Sequence, residues 1–105
     1  MEGIKYDSDK TAFNLLPPNA EQAVAEVLTY GAKKYAPDNW KKVGYLEARY
    51  LGAAMRHLNA HRRGETDDPE SGCLHLAHAI CSLMFIIESW YPDDDSSKLA
   101  TYPEE

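Results

Sequence analysis

The sequence predicts an all-α protein: a small helix bundle, with three main helices and an irregular N-terminal arm, completed by homo-oligomerisation. Three observations carry that reading. Apolar residues recur at helical spacing over about 20–35, 45–63 and 69–91, and these stretches are separated by segments rich in proline, glycine, aspartate and asparagine. Two histidine pairs, His57/His61 and His75/His78, flank a short turn at separations of four and three residues, so each pair shares a helix face. The last stretch is apolar nearly all round, and a chain of 105 residues has too few helices to cover it.

Residues 1–18 have no helical period and end in Leu15-Leu16-Pro17-Pro18, an extended arm closing on an apolar anchor, with Lys5 and Lys10 as its cations. Asn19 followed by Gln22 matches a capping box, and Val24, Val27, Leu28, Gly31 and Tyr35 continue the period of the first helix. Pro37, Asp38 and Asn39 break it, giving a loop over 36–44 that carries Trp40, Lys41 and Lys42.

The second helix, about 45–63, is rich in Leu, Ala, Met and Arg. Tyr50, Ala53, Ala54, His57 and His61 form its inward stripe, with Arg49, Arg56 and Arg63 at seven-residue spacing beside it. Gly64 suits the end of that helix; Asp68-Pro69 reads as N-cap and first residue of the third, with Glu70 in its first turn. The third helix is interrupted only by a polar strip of His75, His78 and Ser82, so it belongs in an interior that a second copy of the chain must help to build. Residues 1–91 thus form one helical domain with its arm, and 92–105 an acidic, proline-broken tail.

A net charge of -6 and a pI near 5.1 argue against nucleic acid or an anionic membrane as partner, so an anionic ligand needs a local cation. Cys73 and Cys81, eight residues apart on one helix, are too distant for a disulfide. The polar amino terminus does not read as a signal peptide, and the apolar run 73–91 carries His75, His78 and Glu88, a poor membrane span. The expectation is a cytoplasmic protein.

The chemistry concentrates around the turn. A single inward histidine is ordinarily a hydrogen-bonded core group, but two facing pairs beside Glu65, Asp67, Asp68 and Glu70 read as a metal centre. The ligands expected are His57, Asp68, Glu70, His75 and His78; mixed oxygen and imidazole donors suit Mg²⁺ or Mn²⁺, two or more ions, better than a closed zinc site. Asp68 and Glu70 also have a purely structural use at a helix N-terminus, as Lys33 and Lys34 do at a C-terminus. Arg56, beside His57, can fork onto phosphate oxygens.

The motifs LLPP, YGAKKYAPDNW, RYLGAAMRHLNAHRRGE and DDPESGCLHLAHA, spread over residues 5 to about 90, resemble a phage-type branch of the MazG nucleotide pyrophosphohydrolases that acts on dATP and dGTP. The resemblance implies an all-α homodimer or homotetramer, Mg²⁺ or Mn²⁺ dependence, and cleavage of a deoxypurine nucleoside triphosphate to monophosphate and pyrophosphate. In phages that replace adenine by 2-aminoadenine, and hence in the host cytoplasm, such an enzyme supplies dGMP for modified-purine synthesis. MazG proteins carry E-x-x-E and E-x-x-D pairs on successive helices; here His57/His61 and His75/His78 stand in those slots, and a literal E-x-x-D, Glu65 to Asp68, lies in the turn. On this reading Glu70 and Arg56 are catalytic, Glu70 as base. Lys33, Lys34 and Arg56 bind phosphate, with the arm's Lys5 and Lys10 as further candidates. Asn39 and Trp40 receive the base. A non-catalytic, metal-stabilised helical interaction module is the rival; an HD-type phosphohydrolase is disfavoured because no His-Asp doublet occurs.

Overall fold

The structure, a computed structural model, describes residues 3–92. Most of the predicted acidic tail, residues 93–105, lies outside the described residues. Three α-helices and two short 3-10 turns, Phe13–Leu15 and Asn39–Lys42, make up the fold, with no strand among the described residues.

Helix α1 spans Pro18–Lys34, α2 Leu46–Arg62 and α3 His75–Ser89. The predicted capping box at Asn19 does not form. Pro17 is the N-cap and Pro18 the first helical residue, where a missing N–H costs nothing and a fixed φ favours the helix; the Gln22 amide donates to Glu26 instead. The arm does not close on its apolar anchor either, since Leu15 and Leu16 are exposed.

Helix α3 is the element on which both others pack. Its pairing with α2 is antiparallel: His57 meets His75 at one end, and the Trp90 indole donates to Glu47 at the other. Its inner surface is made of small groups. Ala77 and Cys81 pack on Val24 and Val27 of α1, while His75, Ala79, Ser82 and Ile86, at 4-3-4 spacing, form one buried stripe. Burial pushes the Cys81 thiol up to about 11, which leaves it inert. The large aliphatics Leu76, Ile80, Leu83, Met84 and Ile87 face outward, so within one chain this helix is covered on only part of its circumference.

The third helix starts six residues later than predicted. Asp68 does not cap it. Its Oδ1 accepts the N–H groups of Glu70 and Ser71, its carbonyl accepts from Gly72, and its own N–H donates to Cys73, closing a tight loop. Gly72 takes the left-handed conformation that this reversal needs, at φ 72°, and a single bridge pairs Asp67 with Leu74.

Candidate active site

The site grows from the end of α2. Arg63 caps the helix and Gly64, at φ 100°, turns the chain back: the Gly64 N–H bonds to the His61 carbonyl and the Glu65 N–H to the Ala60 carbonyl. That pair of bonds is a Schellman motif, and it fixes where Glu65 stands. One residue on, the Thr66 carbonyl accepts the N–H of His75, so the turn is tied directly to the first residue of α3.

Across this junction the imidazoles meet. The Nδ1 atoms of His57 and His75 lie 2.8 Å apart, and Asp68 Oδ2 stands 3.9 Å from His57 Nδ1. His57, Asp68 and His75 form the single group of three metal-competent residues among the described residues, each offering a ligand atom within 4.8 Å of the others. Ligand distances of roughly 2.0–2.2 Å put donors around one divalent ion about 3–4 Å apart, so small side-chain adjustments suffice. Two imidazoles and a carboxylate are donors that Mn²⁺ and other divalent transition ions accept.

The electrostatics agree with that use. Burial, aided by the neighbouring His78 and His75, holds His57 below the ordinary imidazole range, and burial likewise lowers His78, so both favour the neutral form a cation needs. Burial opposes ionisation of Asp68, but the N–H groups of Ser71 and Glu70 and the adjacent His78 and His57 outweigh it and bring the carboxyl below its usual value.

His78 and Glu70 stand outside the group of three. The His78 ring stacks on His57 with centroids 4.5 Å apart, and its Nε2 hydrogen-bonds Ser71 Oγ at 2.7 Å. Glu70 reaches the other way, accepting from Lys34 Nζ at 2.7 Å and from the Tyr30 hydroxyl at 3.1 Å. The Lys34 contact chiefly lowers the Glu70 carboxyl and raises the Lys34 ammonium, although both side chains are well exposed and water screens the pair. Tyr30 is raised by burial first and by Glu70 second. His61, expected on the inward stripe with His57, is exposed: four residues advance the helix by about 400°, enough to carry it off the buried edge.

A cleft of about 920 Å³ collects most of the predicted residues along one wall or another: Lys34, Asn39, Trp40, Arg56, His57, Asp68, Glu70 and His78 all line it. Lys33, on a different face of α1, does not, and neither do the arm lysines Lys5 and Lys10. His75 lies deeper, buried behind His57. Trp40 packs rather than standing free, stacked on Phe85 at 4.7 Å with Tyr50 edge-on to the same Phe85 ring at 5.0 Å. These aromatics are walls of the cleft, as is Gly52, where a methyl group would stand 3.3 Å from Arg56 Nη1.

Three further partners, Tyr30, Ser71 and Phe85, belong to the site that sequence reasoning does not place there, and a fourth, Glu65, it places near the histidines without a partner. Tyr30 is legible as the i-4 neighbour of Lys34 on one helix face. Ser71 sits beside the unusual Gly72, and the sequence marks Phe85 only as core. Glu65 is visible in the turn, but nothing in its spacing tells which histidine it reaches; its Oε1 lies 2.6 Å from His75 Nε2.

A family model described as "dATP/dGTP diphosphohydrolase, N-terminal" matches residues 1–96. The chain is also 40% identical over 86 residues to a dATP/dGTP diphosphohydrolase of Salmonella phage PMBT28, an alignment covering 82% of this chain and 29% of that relative. The chain therefore spans under a third of the length of the curated relative it matches. No solved structure matches.

Proposed function

The chain belongs to the dATP/dGTP diphosphohydrolase N-terminal family, and from that premise we propose that it hydrolyses dGTP and dATP to the monophosphate and pyrophosphate with the help of Mg²⁺ or Mn²⁺. The observation that carries the reading is the cleft. It brings cationic groups, a carboxylate, an aromatic wall and two of the three metal-competent residues to one surface.

Each group has a task that its chemistry suits. Arg56 and Lys34 hold phosphate oxygens, Arg56 as a planar fork and Lys34 as a point charge. His57, His75 and Asp68 hold the cation, which supplies positive charge against the triphosphate and acidifies water. Glu70 accepts the proton of the attacking water as the α–β phosphoanhydride opens and pyrophosphate leaves. Its pairing with Lys34 keeps it a weak base in the free protein; phosphate oxygens competing for Lys34 leave the carboxylate more basic when substrate is present. The purine lies toward Asn39, whose amide can read a base edge, and the Trp40–Phe85 wall.

The reading includes a homodimer or homotetramer, supported by the outward-facing aliphatics of α2 and α3, and production of dGMP for 2-aminoadenine synthesis in a phage-infected cell. The direct test is to mix the protein with each of the eight common nucleotides and Mn²⁺ and follow pyrophosphate. Release from dGTP and dATP, abolished by a chelator, is the expected outcome. No release from any of the eight would overturn it in favour of a non-catalytic helical module.

A further inference from the structure

We infer that Glu65 is a positioning residue for the cation site: it holds His75 with the proton on Nε2, so that the Nδ1 lone pair faces His57 and Asp68. This role rests on the cation reading proposed above. A carboxylate accepts hydrogen bonds and donates none, so the 2.6 Å contact between Glu65 Oε1 and His75 Nε2 requires the proton on Nε2. In a neutral imidazole the other nitrogen is then free of hydrogen, and it is Nδ1 that stands 2.8 Å from His57 Nδ1 in the metal-competent group.

Two features show that the contact is built in rather than incidental. The backbone of Glu65 is pinned by its Schellman bond to Ala60, and its neighbour Thr66 accepts the N–H of His75 itself, so carboxylate and imidazole are tied together through the chain on both sides. His75 is buried, at 4% exposure, whereas the Glu65 side chain is 54% exposed. The exposed acid reaches in to a ring whose orientation the core already restricts. A carboxylate behind a ligating imidazole fixes its tautomer and raises its basicity, and loss of such a partner typically costs about 10–100-fold in metal affinity.

The test compares the wild-type chain with Glu65→Ala and Glu65→Gln. Calorimetry reads the Mn²⁺ affinity, and long-range ¹H–¹⁵N spectra of the metal-free proteins read the His75 tautomer. The wild type is expected as the Nε2–H form. Glu65→Ala should mix the tautomers and weaken Mn²⁺ binding about 10–100-fold. Glu65→Gln, whose amide oxygen still accepts that proton, should keep the tautomer and lose less. Unchanged Mn²⁺ affinity in Glu65→Ala with intact wild-type binding would overturn the role of Glu65 alone. Wild-type protein that binds no Mn²⁺ would overturn the cation site and this role with it, and an Nδ1–H tautomer in the wild type would overturn the role whatever the affinity. Because Glu65 lies on an exposed turn, helicity is expected to be unchanged in both variants.

Discussion

Lys34 Nζ and Glu70 Oε2 meet at 2.7 Å across the mouth of the cleft, joining the last turn of α1 to the loop before α3. The contact links the proposed phosphate-binding group to the proposed base, and substitutions separate their effects. Lys34→Met removes a charged hydrogen bond to phosphate and should raise KM for dGTP roughly ten- to hundred-fold. Glu70→Gln should lower kcat about 10²–10⁴-fold with little change in KM. Steady-state pyrophosphate release distinguishes them, and wild-type kcat in Glu70→Gln would leave Glu70 only its pairing role.

Asp68 offers its two oxygens to different partners, and the substitutions that remove them should differ accordingly. Oδ1 accepts the Glu70 and Ser71 N–H groups, whereas Oδ2 faces His57. Asp68→Asn keeps an oxygen for the turn but loses the charge, so it should weaken Mn²⁺ binding at least about tenfold while leaving the melting temperature nearly intact. Asp68→Ala should also loosen the loop, at a cost of about 0.5–2 kcal/mol, as for the loss of a capping side-chain acceptor. Calorimetry and thermal melts read the two effects, and an Asn variant that binds Mn²⁺ as the wild type does would remove Asp68 from the cation site.

The same carboxylate explains where the sequence is readable and where it is not. Helix α2 is legible nearly to its ends because a proline-free run closes on a glycine, and both signals are local. Helix α3 is read as starting six residues too early because an Asx turn and a helix N-cap use one pattern, a side-chain oxygen accepting N–H groups two and three residues ahead. Only the residues beyond that turn distinguish the two, and here Gly72 in the left-handed region sends the chain into a bridge with Asp67 before the helix starts. Which residues share the cleft is largely legible, since helical spacing orders His57, Lys34 and Arg56 on their faces. Which of them touch is not: the Glu70–Lys34 and Glu65–His75 contacts depend on how the turn is folded, and periodicity does not specify that.

Acid should destabilise the metal-free protein. His57 and His78 sit below the ordinary 6.5 when folded, chiefly through burial. On acidification the unfolded chain takes up those protons first, so the stability is complete above about 6.5 and is lost as pH falls toward the folded values. Asp68 and Glu70 are also lowered, from 3.8 and 4.5, and their loss of stability comes only at lower pH. In chelator the melting temperature should therefore fall as the pH is lowered through about 6.5. Replacing both histidines by glutamine should flatten that slope; an equally steep slope in the double variant would place the titration elsewhere.

The apolar residues that one chain leaves uncovered fall in ordered stripes. Along α3, Leu76, Ile80, Leu83 and Ile87 recur at 4-3-4 spacing with 40–49% of each exposed, and along α2 Leu51, Met55 and Leu58 recur at 4-3 spacing. Spacing of this kind is what a helix presents to another helix across a seam, while the small residues on the opposite face of α3 are already used within the chain. Each of these side chains is already about half covered, so burying the rest is worth roughly 1 kcal/mol apiece, and a two-fold seam counts every one twice, a total of the size of the cost of association. Light scattering at micromolar concentration should give a mass of at least twice 11.8 kDa. Ile80→Glu together with Leu83→Glu, placing two charges in the seam, should return it to the monomer mass; a wild-type monomer, or a double variant with unchanged mass, would show that these stripes are not where copies meet.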